Sequence, residues 1–325
     1  MGGEGGDYYF SERINAFPTE DKEKPMTNLF YILLIIGLFY LICGNLYSTP
    51  QNDIDGVFYY QVGEFEVYTI VEREREGSTS ILLNADEDFL SQFIPETGFT
   101  HSTNAFLIKT PEKNILVDAG TGAGWTILEK IRQIGVEPEE IDIVLLTHLH
   151  FDHFGGLQDE GARNFPNAIV YLSNQEHNHF IVSEARNQAA IDVLALYGEN
   201  VHTFGGYVLR DTLEEFQPLL NEVPEIFAIQ NPGHTPGHTV FLLESEGERL
   251  LIAGDFLHLA LVQFAHPEIS ATFDVDPTEA ASSRRQLLDF AAKNSIPIGA
   301  MHIVYPGIGN VEIDGDGFRF FEISN

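Results

Sequence analysis

Three histidines and an aspartate stand within six positions of one another in the stretch Thr147 to Gly156: His148, His150, Asp152 and His153. Neutral imidazole and carboxylate are the side chains that suit zinc and the neighbouring first-row metals. A loop leaving a strand can turn alternate side chains onto one ion and the next ones onto a second. His148 and His150 are spaced to share one metal, and Asp152 and His153 are then placed to face another. The exit Phe154-Gly155-Gly156 suits a tight turn in which glycine lets backbone approach the site. The bland reading makes these surface histidines, but they follow directly on the mostly apolar run Ile141 to Leu146, which reads as a buried strand.

Other candidate donors also stand at the ends of apolar runs. After Ile226 to Gln230 comes Asn231-Pro232-Gly233-His234-Thr235-Pro236-Gly237-His238, where two Pro-Gly turns would hold His234 as a third ligand for the first metal. His238 opens the next strand and is expected to hydrogen-bond within the fold. Arg249 to Ala253 ends in Gly254-Asp255, and the two oxygens of an aspartate can bridge two cations. Pro297 to Met301, read as the last buried strand, ends at His302. Asp118, after the strand Asn114 to Val117, has two readings: it orients a metal-bound histidine, or it caps the helix Trp125 to Ile134. His177 and His179 are also two apart, but on a helix such residues diverge, which makes them surface groups.

The elements that must position these donors are mostly strands. Val57 to Val62 and Phe65 to Val71 read as a pair joined at Gly63-Glu64, with the charged run Glu72 to Glu76 as a solvated turn. Ser78 to Thr100 reads as a loop carrying a short helix near Glu87 to Phe93. Ala105 to Lys109, Ala168 to Leu172 and Thr239 to Leu243 are further strands. Helical spacing from Asn174 to Tyr197 begins a segment, running to Leu220 with few strand signals, that reads as an insertion over one face. Pro277 to Lys293 is the clearest helix, with Asp276 as N-cap, Pro277 at the first position and Glu279 completing a capping box. Strands this frequent, with helices this widely spaced, fit two sheets faced by helices better than one doubly wound parallel sheet.

Acidic residues outnumber basic ones 49 to 17, a net charge of −32, and no basic cluster offers a path for a phosphate backbone, so nucleic acid is not an expected partner. Residues 1–25 form a polar tail and residues 48–56 a polar linker. Between them, 26–47 reads as a signal peptide or a single N-terminal membrane anchor, since Leu29 to Cys43 holds only apolar, aromatic and glycine residues. Lys22 and Lys24 favour a cytoplasmic N-terminal side, which places the remainder outside, periplasmic or membrane-anchored. Cys43, the sole cysteine, stands where a lipoprotein is acylated, although Ile42 is bulky for that processing. A metal site in residues 57–325 must therefore use histidine and carboxylate.

Taken together, Asp118, His148 to His153, His234, Asp255 and His302 give a chain that resembles the metallo-β-lactamase superfamily, whose signature H-x-H-x-D-H is matched without departure. The resemblance runs from about Val57 to the C-terminus. It implies an αββα sandwich of two mixed sheets flanked by helices, with two divalent metal ions at one edge. His148, His150 and His234 would hold one ion, Asp152, His153 and His302 the other, and Asp255 would bridge both. Zinc is the default metal, and Mn2+, Co2+ or Fe2+ suit the same donors.

Within that superfamily, Leu261-Val262-Gln263-Phe264, Phe273-Asp274-Val275-Asp276 and Tyr305-Pro306-Gly307-Ile308-Gly309 look most like the methyl parathion hydrolase group and its lactonase relatives. By that resemblance Trp125, Phe180 and Phe273 would line a substrate pocket. His258 departs from the pattern: N-acyl homoserine lactonases carry a tyrosine there, and phosphotriester-cleaving members tend to be apolar. A histidine could donate to a carbonyl oxygen or a leaving alkoxide, or be a satisfied structural residue. The expectation is a hydrolase of lactones or aryl and acyl esters, with Asp255 and His258 as catalytic candidates and a metal-bridging hydroxide as nucleophile. The alternatives are a phosphotriesterase, a thioesterase of the glyoxalase II type and, from another class, a membrane-tethered binding module without turnover. The expected partner is a small-molecule ester or lactone, and a homodimer is compatible.

Overall fold

The computed structural model describes residues 54–209, 218–221 and 223–324. The tail, the apolar segment 26–47 with Cys43, and most of the linker lie outside these residues, and with them the expectations of a signal peptide, anchor or lipidation. Among the described residues no helix is long and apolar enough to cross a membrane.

The first sheet has seven strands that neighbour one another in sequence order: β1 (Val57–Val62), β2 (Phe65–Glu76), β3 (Thr100–Lys109), β4 (Asn114–Val117), β5 (Ile143–Leu145), β6 (Ile169–Ser173) and β7 (Val201–Phe204). The first four pair antiparallel and the rest parallel. Parallel pairing requires crossovers. These carry α1 (Thr126–Ile134), the histidine cluster and α2 (Gln188–Tyr197).

The charged run after Val71 is not a turn. β2 continues through it to Glu76, and the pairing with β3 shifts register between Val71 and Arg73. A bulge of this kind inserts one residue and re-aims its side chain. Here it buries Glu72, which accepts from Thr121 N and Oγ1 at 3.0 Å each and from Gly122 N at 2.9 Å. A carboxylate that satisfies three donors needs no solvent.

The second sheet again follows sequence order: β8 (Tyr207–Val208), β9 (Ile226–Gln230), β10 (Thr239–Ser245), β11 (Glu248–Ile252), β12 (Ile298–Gly299), β13 (Ile308–Asp314) and β14 (Gly317–Glu322). β7 and β8 lie within the segment before Leu220 that shows few strand signals, so it is not wholly an insertion over one face. The hairpin β13–β14 corrects the reading of Pro297 to Met301 as the last strand. Between β11 and β12 runs α3 (Pro277–Asn294). Asp276 caps it, accepting from Thr278 N and Glu279 N at 3.0 and 2.9 Å. The return half of the expected capping box is replaced: Asp276 N donates instead to Gly233 O at 2.9 Å, which ties α3 to the His234 turn.

Strand alternation divides the apolar residues among three interfaces. Phe106, Ile108, Ile115, Val117 and Leu145 meet Phe241, Leu243, Leu250, Ile252 and Ile308 between the sheets. On the outer face of the first sheet, Leu107, Leu116 and Val144 pack with Ile131 of α1 and Leu194 of α2. Leu242 and Leu251 on the outer face of the second pack with Leu287, Leu288 and Ala291 of α3. The result is the helix, sheet, sheet, helix layering expected, with two mixed sheets.

Candidate metal centre

His148, His234, Asp255 and His302 stand just beyond strands, where the backbone leaves the sheet and side chains are free to converge, and Asp152 and His153 follow on the short helix Phe151–Phe154. Ligating atoms of His148, His150, His234 and Asp255 lie within 4.8 Å of one another, as do those of Asp152, His153 and His302. Asp255 lies between the two groups. Its Oδ1 is 3.2 Å from His153 Nε2, and its Oδ2 is 3.1 Å from His302 Nε2 and 3.4 Å from His234 Nε2.

The ring orientations follow from what each other nitrogen does. His153 Nδ1 donates to Asp118 Oδ2 at 2.6 Å, His234 Nδ1 to Asp274 Oδ1 at 2.9 Å and His302 Nδ1 to the carbonyl of Ser102 at 2.8 Å. All three rings are thereby turned with Nε2 towards the centre. Thr147 Oγ1 donates to the same Asp118 oxygen at 2.7 Å and so is left to accept from His148 Nδ1 at 3.1 Å, which frees His148 Nε2 as well. Asp118 thus orients a candidate ligand, and it caps no helix: α1 is preceded by Trp125 in a left-handed conformation without a side-chain cap.

Metal ions fit this arrangement on the chemistry of the donors themselves. His148 Nε2 and His150 Nδ1 lie 3.1 and 2.9 Å from His234 Nε2, an approach of lone pairs that one shared proton cannot satisfy. His153 Nε2 and Asp255 Oδ1 face each other, buried, without a hydrogen bond to anything. Burial, joined by the charge of His153 on His148, holds His148 and His234 well below the usual imidazole range, and burial brings His150 down to about 4. These rings are neutral and able to coordinate. For His153 burial acts in the same direction, but the carboxylates of Asp255, Asp118 and Asp152 outweigh it and hold its pKa well above the usual range. That corner of the site therefore calls for positive charge.

A cavity of about 600 Å3 opens over the centre, lined by His101, His150, Asp152, Asp255, His258 and His302, with Phe151 and Phe273 on its apolar side. His258 lies at the centre: its Nε2 is 3.3 Å from Asp255 Oδ2, and its ring stacks on His302 at 5.1 Å and lies 5.5 Å from Phe273. Its backbone N–H donates to Gln263 Oε1 at 2.7 Å. Two expected pocket aromatics are placed elsewhere. Trp125 is 52% exposed and borders a separate small crevice with Ala119, Gly122 and Ile127, because the turn at Gly122 and Gly124 carries it away from the cavity. Phe180 is buried against the edge of His150 at 5.9 Å and supports that ring from behind without lining the cavity.

Several groups that shape the site carry no motif. Glu176 accepts from Leu149 N at 2.7 Å, Thr235 Oγ1 at 2.7 Å and Gly237 N at 3.0 Å, so one carboxylate joins the His148 and His234 loops. Its sequence signal, Ser173-x-x-Glu176, reads as a helix start, and Ser173 does accept from Glu176 N at 3.1 Å. Asp274, which anchors His234, is signalled only as a charge in Phe-Asp-Val-Asp. His101, on β3 with its ring 4.5 Å from His302, has no sequence signal beyond its residue type. His238 behaves as expected: Nδ1 donates to Asn231 O at 3.0 Å, and Nε2 accepts from Asp255 N at 2.9 Å and so holds the backbone of the central carboxylate. His177 and His179 take no part in the centre.

A family model described as the metallo-β-lactamase superfamily matches residues 98–295. The probable metallo-hydrolase MJ0888 of Methanocaldococcus jannaschii is 30% identical over 159 residues, 49% of this chain and 68% of that protein. The atrochrysone carboxyl ACP thioesterase of Passalora fulva is 30% identical over 157 residues, 47% of this chain and 37% of that protein. The match thus spans about two thirds of the first relative's length and little more than a third of the second's. Among solved structures, AidC, a dizinc quorum-quenching lactonase in complex with a product, N-hexanoyl-L-homoserine, superposes with a TM-score of 0.72 at 25% identity, covering 84% of this chain and 99% of that one.

Proposed function

Since the chain belongs to the metallo-β-lactamase superfamily, we propose that it is a two-metal hydrolase that opens lactones or cleaves acyl, aryl or thioester bonds. The observation that carries this reading is Asp255, whose two buried oxygens stand between two sets of three donors. His148, His150 and His234 would hold one divalent ion and Asp152, His153 and His302 the other, with Asp255 shared; zinc is the first choice, as in the similar dizinc lactonase. Bound there, such ions would supply Lewis acidity and lower the pKa of a water towards about 7.

The chain's own residues do the rest. Phe151 and Phe273 form the apolar wall against which an acyl or aryl group packs. His258, held at both backbone and ring, donates from Nε2 to the substrate oxygen that gains charge, beside Asp255 Oδ2. Burial of the donors keeps water competition low. Lactone cleavage is supported by likeness to the lactonase, and thioester cleavage by likeness to the thioesterase. The placement beside the methyl parathion hydrolase group would make phosphotriesters substrates of the same centre. Export of the domain, proposed from the apolar run at 26–47, is checked by fractionating cells that express the full chain.

The test is a hydrolysis panel of acyl homoserine lactones, aromatic lactones, aryl esters, thioesters and aryl phosphotriesters, run on zinc-loaded wild type and His258→Leu. Lactone or ester turnover is expected, with kcat reduced about 100-fold or more in the variant. Phosphotriester turnover that exceeds the others by orders of magnitude would replace the ester reading. Binding of less than about one metal equivalent with no turnover would favour the non-catalytic binding module.

A further inference from the structure

Arg73 and Arg75, two apart on β2 and so on one face of the strand, both line the cavity over the metal centre. Among the described residues neither guanidinium has an ion pair or a side-chain hydrogen bond, in a chain with 49 acidic residues to 17 basic ones. Several other cations do find carboxylates: half-buried Lys109 pairs with Glu66 at 3.1 Å and Arg249 with Glu244 at 2.7 Å, and exposed Arg132 pairs with Glu137 at 3.2 Å. The two arginines are held in register with the centre. Arg73 stands opposite Thr103 and Arg75 opposite His101, whose ring packs 4.5 Å from His302. Arg75 is thus one cross-strand step from a ring that touches a donor.

Resting on the hydrolase reading, we infer that Arg73 and Arg75 form an anion subsite, so that the natural substrate carries a carboxylate or phosphate group remote from the bond that is cut. The planar guanidinium matches the geometry of both anions. A chain with net charge −32 repels anions in general, so a cationic couple at the cavity, without carboxylate partners among the described residues, is the feature that would draw one in and orient it. Glu76 also borders the cavity, and its charge opposes binding of an anion displaced towards it, which sharpens the position. If the arginines were only a solvated strand face, substrate charge would make no difference.

The test uses zinc-loaded wild type and Arg73→Gln/Arg75→Gln on three chromogenic esters of matched length: 4-nitrophenyl butyrate, 4-nitrophenyl hemisuccinate and the corresponding phosphonate. Wild type is expected to favour an anionic ester by about tenfold or more in kcat/KM at low salt, with the advantage shrinking as salt rises. The double variant is expected to lose that advantage through KM, with butyrate turnover unchanged. Comparison of hemisuccinate with phosphonate identifies the anion. Equal handling of all three by wild type, or a preference that survives in the variant, overturns the subsite while leaving the hydrolase reading intact. If no ester is cleaved, that reading fails and the subsite is judged by calorimetric binding of succinamate against butyramide. Stronger binding of succinamate that the double variant loses supports it, and equal binding to both proteins refutes it.

Discussion

His153 donates from Nδ1 to Asp118 Oδ2 at 2.6 Å, while Asp118 Oδ1 accepts the backbone N–H of Thr147 at 2.8 Å. One fully buried carboxylate thus fixes the tautomer of a ring at the centre and the start of the loop that carries four donors. Asp118→Asn keeps the size but puts an amide where the ring needs an acceptor. Metal affinity at the site containing His153 is expected to fall about 10- to 100-fold, read by competition with a chromophoric chelator. Unchanged affinity would reduce Asp118 to a loop anchor.

Glu176 gives a prediction in pH. Burial raises its carboxyl to about 7 against the opposing pull of its hydrogen bonds from Leu149, Thr235 and Gly237. The folded value lies above the ordinary 4.5, so its contribution to stability is complete below the unfolded pKa and is lost as pH rises through about 7. The full span is at most about 3 kcal/mol. Glu176→Gln has no such titration. The melting temperature of wild type should therefore fall relative to that of the variant between pH 5 and pH 8, and parallel curves would show that this carboxyl does not titrate in that window.

Glu72 is a structural anchor of the cavity rim, since Thr121, which it holds through two hydrogen bonds, lines the cavity. Glu72→Ala leaves the Thr121 and Gly122 N–H groups without their acceptor. The expected loss is about 2 to 5 kcal/mol, measured by urea unfolding, whereas a true surface residue would cost under about 0.5 kcal/mol.

The donors could be read from the sequence because ligand chemistry restricts residue types and because each follows an apolar run that must be a strand. The groups that hold them could not. Asp274, Glu176 and Glu72 become buried only through contacts distant in sequence, and an isolated carboxylate looks the same whether water or three N–H groups will surround it. Glu72 shows this most directly: without its partners 49 and 50 residues away, a run of charges can only be read as solvated. Trp125 shows the converse, since the family resemblance implies a pocket position and the backbone turn before it decides otherwise. The layering was visible in strand frequency, while the short strands β7 and β8 lack enough residues for alternation to register.

Gly233 separates the two halves of the centre experimentally. Its φ of 120° lies in a region that side chains rarely adopt, and a Cβ there would stand 2.1 Å from Ala280 N at the start of α3. The contact is with backbone, so no side-chain rotation relieves it. The Gly233 carbonyl also accepts Asp276 N–H, so moving this turn disturbs the helix cap and the adjacent His234 together. Gly233→Ala should therefore displace His234 from His148 and His150 while His153, His302 and Asp255 keep their supports in Asp118, Ser102 and His238. The expected stability loss is about 1 to 3 kcal/mol. The expected metal content, by elemental analysis of folded protein, is close to one equivalent where wild type holds two. Two tightly bound equivalents in the variant would mean that His234 is not needed to hold the first ion.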